Sequence, residues 1–188
     1  MGAKLVHYST DYVFDGTATE PYAIDHPRSP VSAYGRSKAL GEKLVEESGV
    51  EHLLVRSSWL YAPWGNNFVL TIRNLSKSRP VLRVVDDQRG RPTDSRNLAA
   101  ASLQLTKSGH RGIAHVTDGG ECTWFELATL VASVANPDCR VEPCSSEEFP
   151  RPARRPAYSV LDISATESEL GPMPPWQARV RDVLEHAR

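Results

Sequence analysis

The chain has 188 residues, 40% of them hydrophobic, and a formal net charge of −1, which suits one globular domain or a domain and a half and favours neither a nucleic-acid nor a membrane partner. No apolar run approaches the roughly 20 residues of a membrane span, and Met1 to Lys4 lead straight into a strand without a secretory leader, so a cytoplasmic location is expected. Cys122, Cys139 and Cys144 lack the spacing of metal ligands and the six histidines are scattered, so reduced thiols and no metal site are expected.

In chain order, Lys4 to His7 read as a strand, with Leu5 and Val6 too continuous for a half-exposed edge. A loop carrying proline and aspartate, Asp15 to Pro30, leads to SAYGRSKALGEKLVEESG, a helix starting near Ser32 and stopped by Gly49. HLLVRSSWLY reads as one strand. A helix runs from Asn66 or Asn67 to about Ser78, and PVLRVVDD follows as a strand. Asp94 or Ser95 caps a helix through Lys107, and GIAHVTDGG is a strand. TWFELATLVASVA reads as an amphipathic helix, CRVEPC as a strand and WQARVRDVLEHA as a terminal helix. There is no internal repeat, and FPRPARRPA reads as a loop. Strands alternating with helices indicate an α/β fold, a partial Rossmann-like parallel sheet with a smaller substrate-binding portion. The expected division places the first at residues 1–117 and the second at 118–188, with part of 62–93 contributing to the second.

The opening strand ends in Ser9, Thr10, Asp11 and Tyr12, polar groups at the place where ligands sit in open parallel sheets. A capping or turn cluster is an equal reading of that stretch alone. Tyr34 and Lys38 are four residues apart on one helix and share a face. The strand after that helix ends in Ser57, Ser58 and Trp59, so the ends of three elements surround one cleft. The chemistry this suits is proton delivery to a carbonyl. An ordinary phenol, with a pKa near 10, exchanges protons poorly at neutral pH, and a neighbouring ammonium favours its ionised form. Lys38 would prepare Tyr34 as the acid, and Thr10 would hold the substrate oxygen while hydride reaches the carbon. Further on, GNNF offers Asn66 and Asn67 to a substrate, and DDQRGRPT offers Gln88, Arg89 and Arg91 to a diphosphate. Arg89 and Arg91 equally read as solvated charges, as do Arg151, Arg154 and Arg155, and Trp124 and Phe125 read as core.

The stretches STDYVFDG, SPVSAYGRSKALGE, VRSSWLY, GNNF, DDQRGRPT and RPAYSVLD resemble, in order, successive motifs of the dTDP-4-dehydrorhamnose reductase family, in the extended branch of the short-chain dehydrogenase/reductases. The resemblance covers nearly the whole chain. It implies reduction of the C4 keto group of a dTDP-sugar, with NADPH as cofactor and NADH as the alternative. It further implies that Thr10, Tyr34 and Lys38 form the catalytic trio, that Tyr34, Lys38 and Ser58 face the cofactor, and that Trp59 lines the sugar pocket. Related sugar-nucleotide dehydratases carry Asp-Glu after the threonine, whereas this chain has Asp11-Tyr12. That favours plain reduction over dehydration or epimerisation and leaves Asp11 and Tyr12 to bind the sugar, with packing under the 15–30 loop an equal reading for Tyr12. A homodimer is compatible with the resemblance.

The chain departs from that pattern in one respect. It has no glycine-rich turn to receive a pyrophosphate, Gly109 and Gly112 being its lone GxxG pair. The opening strand corresponds to a late strand of the family's sheet, so the first βαβ units are expected to be missing and the chain to be the carboxyl-terminal part of a reductase, inactive by itself. Two other classes stay open at this point, a non-catalytic nucleotide-binding or regulatory subunit and an inactive remnant.

Overall fold

The computed structural model describes residues 3–149, 153 and 155–187. In chain order the elements are β1 (Leu5–Thr10), α1 (Ala33–Glu47), β2 (His52–Ser57), β3 (Leu60–Tyr61), α2 (Phe68–Ser78), β4 (Val81–Val85), β5 (Arg89–Gly90), β6 (Thr93–Asp94), α3 (Ser95–Lys107), β7 (Gly112–His115), β8 (Cys122–Thr123), α4 (Trp124–Ala135), β9 (Arg140–Cys144), α5 (Ser164–Leu170) and α6 (Trp176–His186). Short 3-10 turns follow β1 at Asp11–Val13 and β9 at Ser146–Glu148.

A parallel sheet in the order β1-β2-β7 organises the first half. In β2, Leu53, Leu54 and Val55 are all buried, as a central strand covered on both faces requires. Among the described residues β1 pairs only with β2, from Leu5 opposite His52 to Thr10 opposite Ser57. It therefore extends three residues past the expected Lys4–His7 span. Its position at the sheet edge leaves Leu5 and Tyr8 exposed, which corrects the reading of Leu5 and Val6 as a fully covered strand. HLLVRSSWLY is also not one strand. The chain turns at Trp59, whose φ of 48° is the only positive value outside glycine among the described residues. That turn sends Leu60 and Tyr61 to pair with Thr93 and Asp94 instead of continuing the sheet.

The helix boundaries follow their capping residues. Ser32 accepts from the Gly35 amide at 3.0 Å to start α1, and Gly49, at φ +68°, follows its last turn in the left-handed region that ends helices. Asn67 caps α2, Asp94 caps α3, and Thr123 with Glu126 forms a reciprocal capping box on α4. α5 has no counterpart among the expected elements, because its SATESEL sequence buries only Thr166 and shows no apolar stripe.

Two main cores result. Leu53, Val55, Leu98, Leu105 and Val116 pack with Ile163 and Met173 around the first sheet. A second core joins Val69 and Ile72 of α2 and Leu82 and Val84 of β4 to Leu127 and Val131 of α4 and Val180 and Val183 of α6, beside the parallel β4-β9 pair. Residues between 62 and 93 thus contribute to the second core. The chain then returns to the first core at Ile163 and Met173.

Between α1 and β2 lies a buried ion pair. Glu42 and Arg56 have side chains 0% and 1% exposed, and Arg56 Nη2 donates to Glu42 Oε2 at 2.8 Å while its Nε donates to both carboxylate oxygens, at 3.0 and 3.2 Å. Arg28 adds a second cation at 2.7 Å. Arg56 Nη1 donates to the Ile24 carbonyl and lies 3.3 Å from His115 Nε2, and the Phe14 ring faces the guanidinium at 5.1 Å. Burial, reinforced by the Arg56 charge, pushes His115 down to about 3. It is therefore neutral at pH 7, with Nδ1–H donating to the Asp162 carbonyl at 3.0 Å and Nε2 free to accept from Arg56.

The start of α1 is pressed against the turn after β1. A Cβ on Gly35 would meet the Tyr12 carbonyl oxygen at 2.2 Å and Pro30 Cβ at 2.9 Å. Although alanine has the higher helix propensity by about 1 kcal/mol, Gly35→Ala is expected to destabilise the fold by about 1–3 kcal/mol through this overpacking. Urea denaturation of both proteins checks it, and an unchanged or raised midpoint would refute it.

Candidate functional site

Thr10 ends β1 with its side chain already committed. Its Oγ1 accepts from the Tyr12 amide at 3.3 Å and donates to Asp11 Oδ1 at 2.9 Å, which holds the 3-10 turn over the end of the sheet. Asp11 is 2% exposed, and burial raises its carboxyl to about 6. Tyr12 is pushed up to about 12, first by burial and then by the Asp11 charge, with Arg155 opposing. The first turn of α1 brings Tyr34 to the same place. Its ring meets that of Tyr12 edge-on, with centroids 6.1 Å apart and planes at 81°. Tyr34 is 55% exposed at the rim. One turn further along α1, Lys38 Nζ donates to the Tyr8 carbonyl of β1 at 2.5 Å.

From β2 come Ser57, Ser58 and Trp59. Ser58 Oγ donates to the Arg91 carbonyl at 2.7 Å, which ties the strand end to the segment before β6. The left-handed backbone at Trp59 turns its indole onto Trp124, the first residue of α4, in a parallel stack with centroids 3.6 Å apart and planes at 8°. Gly90 lies beneath: a Cβ there would meet Trp59 Cε2 at 2.6 Å. These parts enclose a cavity of about 340 Å³ lined by Thr10, Asp11, Tyr12, Tyr34, Ser58 and Trp59 together with Trp124 and Arg155. A second cavity of about 290 Å³ adjoins it, sharing Trp124 and Arg155. Its walls are mostly apolar, from Phe68, Ile72, Leu75, Val84 and Phe149, with Arg83 and Gln88 at the edge.

The expected site residues thus separate. Thr10, Asp11, Tyr12, Tyr34, Ser58 and Trp59 share the first cavity, and Lys38 stands behind Tyr34 on the same helical face. Gln88 lines the second cavity, where its Nε2 donates to Ser146 Oγ at 2.6 Å. Asn66 and Asn67 line neither. They border a separate cavity of about 710 Å³ with Trp64, Arg73 and His186, and Asn67 is occupied in capping α2 and in donating to the Ala62 and Trp64 carbonyls. Arg91 lines neither cavity, and burial lowers its pKa against the opposing charges of Glu121 and Glu167. Arg89 lies within ion-pair reach of Glu121 and Glu126, at 3.5 and 3.7 Å.

Two residues that the sequence left as core or solvated charge, Trp124 and Arg155, line both of the adjoining cavities. Trp124 does pack against the second core, on the stripe it shares with Leu127 and Val131, but its other face meets Trp59. Its signal was the capping box Thr123-x-x-Glu126, which sets it at a helix entrance. Arg155 is exposed, and nothing local distinguishes it. Arg151 and Arg154 lie outside the described residues. Among those described, no cluster of His, Cys, Asp or Glu suits a metal ion and no helix is long and apolar enough to cross a membrane.

Parallel strands whose carboxyl ends open into a polar cavity define a Rossmann-like α/β protein. Residues 1–188 match the RmlD substrate binding domain family, and the chain belongs to it. It is 41% identical over 186 residues to the spore coat polysaccharide biosynthesis protein SpsK of Bacillus subtilis, covering 98% of this chain and 65% of that protein. It is 41% identical over 183 residues to a probable dTDP-4,6-dihydroxy-2-methyloxan-3-one 4-ketoreductase of Streptomyces antibioticus, covering 96% of this chain and 62% of that one. The crystal structure of dTDP-4-dehydrorhamnose reductase from Bacillus anthracis in complex with NADP superposes with a TM-score of 0.93 at 40% identity, covering 98% of this chain and 66% of that one. The chain therefore spans about two thirds of the length of these relatives.

Asp11 gives the site a measurable pH signature. The folded protein keeps this proton up to about pH 6, whereas the unfolded chain releases it near pH 4. Raising the pH through that window therefore costs stability, by up to about 3 kcal/mol. In Asp11→Asn this cost is absent, so the stability of the variant relative to the parent is expected to rise between about pH 4 and 7 and then level off. Urea denaturation across that range measures it, and parallel profiles would contradict it.

Proposed function

We propose that this chain carries the substrate-binding and proton-delivering part of an NADPH-dependent reductase acting on the C4 keto group of a dTDP-linked sugar, with dTDP-4-dehydrorhamnose as the substrate of first choice. The observation that carries the reading is the convergence of Thr10, Tyr12, Tyr34 and Trp59 on one cavity at the carboxyl ends of β1 and β2. A carbonyl in that cavity has a phenol at Tyr34 to give it a proton, with the Lys38 ammonium one turn further along α1, and the Thr10 hydroxyl holds its oxygen by turning its one proton from Asp11 Oδ1 to the substrate. Tyr34, exposed at the cavity rim, and Lys38, on the β1 edge, fit the reactive end of a nicotinamide cofactor. When bound, NADPH supplies the hydride that the carbonyl carbon accepts, so hydride and proton together yield the alcohol.

The adjoining apolar cavity suits a nucleobase against Phe68 and Trp124, and Arg155, at the junction of the two cavities, suits the diphosphate that joins base to sugar. Asp11 and Tyr12 take the sugar hydroxyls. No second carboxylic acid stands beside Asp11 in the sequence, which favours reduction over water elimination.

Tyr34→Phe keeps the ring and removes the proton. In a full-length reductase that includes this chain, turnover of dTDP-4-dehydrorhamnose with NADPH is expected to fall at least about 100-fold, with binding of the sugar nucleotide retained. Near-normal kcat in that variant would remove Tyr34 from the mechanism, and steady-state kinetics decides it. Independently, Arg155→Ala is expected to weaken binding of dTDP about tenfold, the loss of one charge-assisted contact to a phosphate. Calorimetric titration with dTDP checks this, and unchanged affinity would place the diphosphate elsewhere.

A further inference from the structure

Glu42 has no part in the chemistry described so far, yet it stands in line with it. Tyr34, Lys38 and Glu42 follow one another at four-residue spacing along α1, so one face of the helix carries all three. Each of the last two reaches the end of β1. Lys38 donates to the Tyr8 carbonyl, and the Glu42 carboxylate accepts from Ser9 Oγ. Tyr8 and Ser9 are the two residues before Thr10.

The carboxylate is itself immobile. Oε2 accepts from Arg56 Nη2 at 2.8 Å and is ion-paired with Arg28 Nε at 2.7 Å, and Oε1 accepts from Arg56 Nε at 3.0 Å as well as from Ser9. Arg56 belongs to β2, the strand that delivers Ser58 and Trp59 to the cavity. Through one side chain, therefore, the ends of β1 and β2 are referenced to the helix that carries Tyr34. Satisfying a buried Arg56 would not need the Ser9 contact, since Glu42 already meets that guanidinium with both oxygens.

We infer that Glu42 is a positioning residue: bonded to Ser9 and locked by Arg56, it fixes the spacing between Thr10 at the end of β1 and Tyr34 on α1. This rests on the reading that those two residues face the reacting carbonyl. A reaction that needs donor and hydroxyl placed to within about 0.5 Å gains from such a brace. The brace acts on turnover more than on affinity for the sugar nucleotide, whose base and diphosphate contacts at Phe68, Trp124 and Arg155 lie outside the braced strand ends.

Ser9→Ala tests it, because it cuts the link while leaving the Arg56–Glu42–Arg28 cluster paired, and Ser9→Thr restores the donor. One readout needs no turnover. The Tyr12 and Tyr34 rings, edge-on at 6.1 Å between centroids, should give nuclear Overhauser cross-peaks in the parent. In Ser9→Ala these should weaken about twofold or more, kcat should fall about tenfold or more, and KM for the sugar nucleotide should stay within about twofold. Ser9→Thr should recover both the cross-peaks and kcat. Unchanged cross-peaks and kcat in Ser9→Ala would overturn the inference, and so would a rise in KM alone, which would make Ser9 a substrate contact. Kinetics are read in a full-length reductase that includes this chain; if the cross-peaks respond while that reductase reduces no 4-keto sugar nucleotide, the brace stands and the reductase reading falls.

Discussion

The Arg56–Glu42 pair is the constraint on which the rest of the site end of the molecule depends. Two opposite charges removed from water repay their desolvation only when every donor and acceptor is met. Here both oxygens of the carboxylate are hydrogen-bonded and Arg28 adds a second cation, and the guanidinium is shared with the Ile24 carbonyl, a neutral His115 and the face of Phe14. The result is specificity of arrangement more than net stability. An apolar pair of equal volume would fill the space but would not dictate how α1 sits across β1 and β2. It would also leave nothing to tie the 24–28 loop and β7 to the same point.

That fixed arrangement lets the cavity be built from element ends instead of from a long loop. β1 contributes Thr10 and the turn after it, α1 the exposed Tyr34 of its first turn, and β2 a strand end whose polypeptide turns sharply at Trp59. A tryptophan in the left-handed region carries a cost of about 1–2 kcal/mol. The parallel stack on Trp124 and the bare backbone of Gly90 underneath are the features that offset it. The strain is therefore tied to a purpose, since the same turn places the indole in the cavity wall.

The two adjoining cavities differ in chemistry as the two halves of a nucleotide sugar do. One is lined by hydroxyls, a carboxyl group and phenols at the end of the parallel sheet, and the other by aliphatic and aromatic side chains drawn from the second core. Trp124 belongs to both, which explains why α4 starts where it does. Its capping box holds the first turn rigid at the junction. A sugar nucleotide laid across the junction would touch both cores, so the packing of α2, β4 and α4 would govern its fit as much as the residues beside the reacting carbon.

Much of this was legible in the residues alone. Ser32, Asn67, Asp94 and Thr123 mark helix starts by a local rule, the hydroxyl or carboxyl that meets the first free amides, and each helix begins there. The shared face of Tyr34 and Lys38 follows from helical periodicity, and the grouping of Thr10, Tyr34 and Trp59 follows from strands that end side by side. What the sequence could not carry were relations between segments far apart in the chain. Whether Asn67 faces a ligand or a carbonyl, whether Arg91 points into the cleft or behind it, and whether Trp124 is core or wall all depend on which neighbour arrives from elsewhere. The short polar α5 and the break at Trp59 belong to the same class, since packing partners distant in sequence select them over the local pattern. Local propensity and capping determine the elements because their energetics lie within a few residues. The brace through Glu42 and the junction at Trp124 and Arg155 are set by tertiary contacts, because only the folded chain brings their partners within reach.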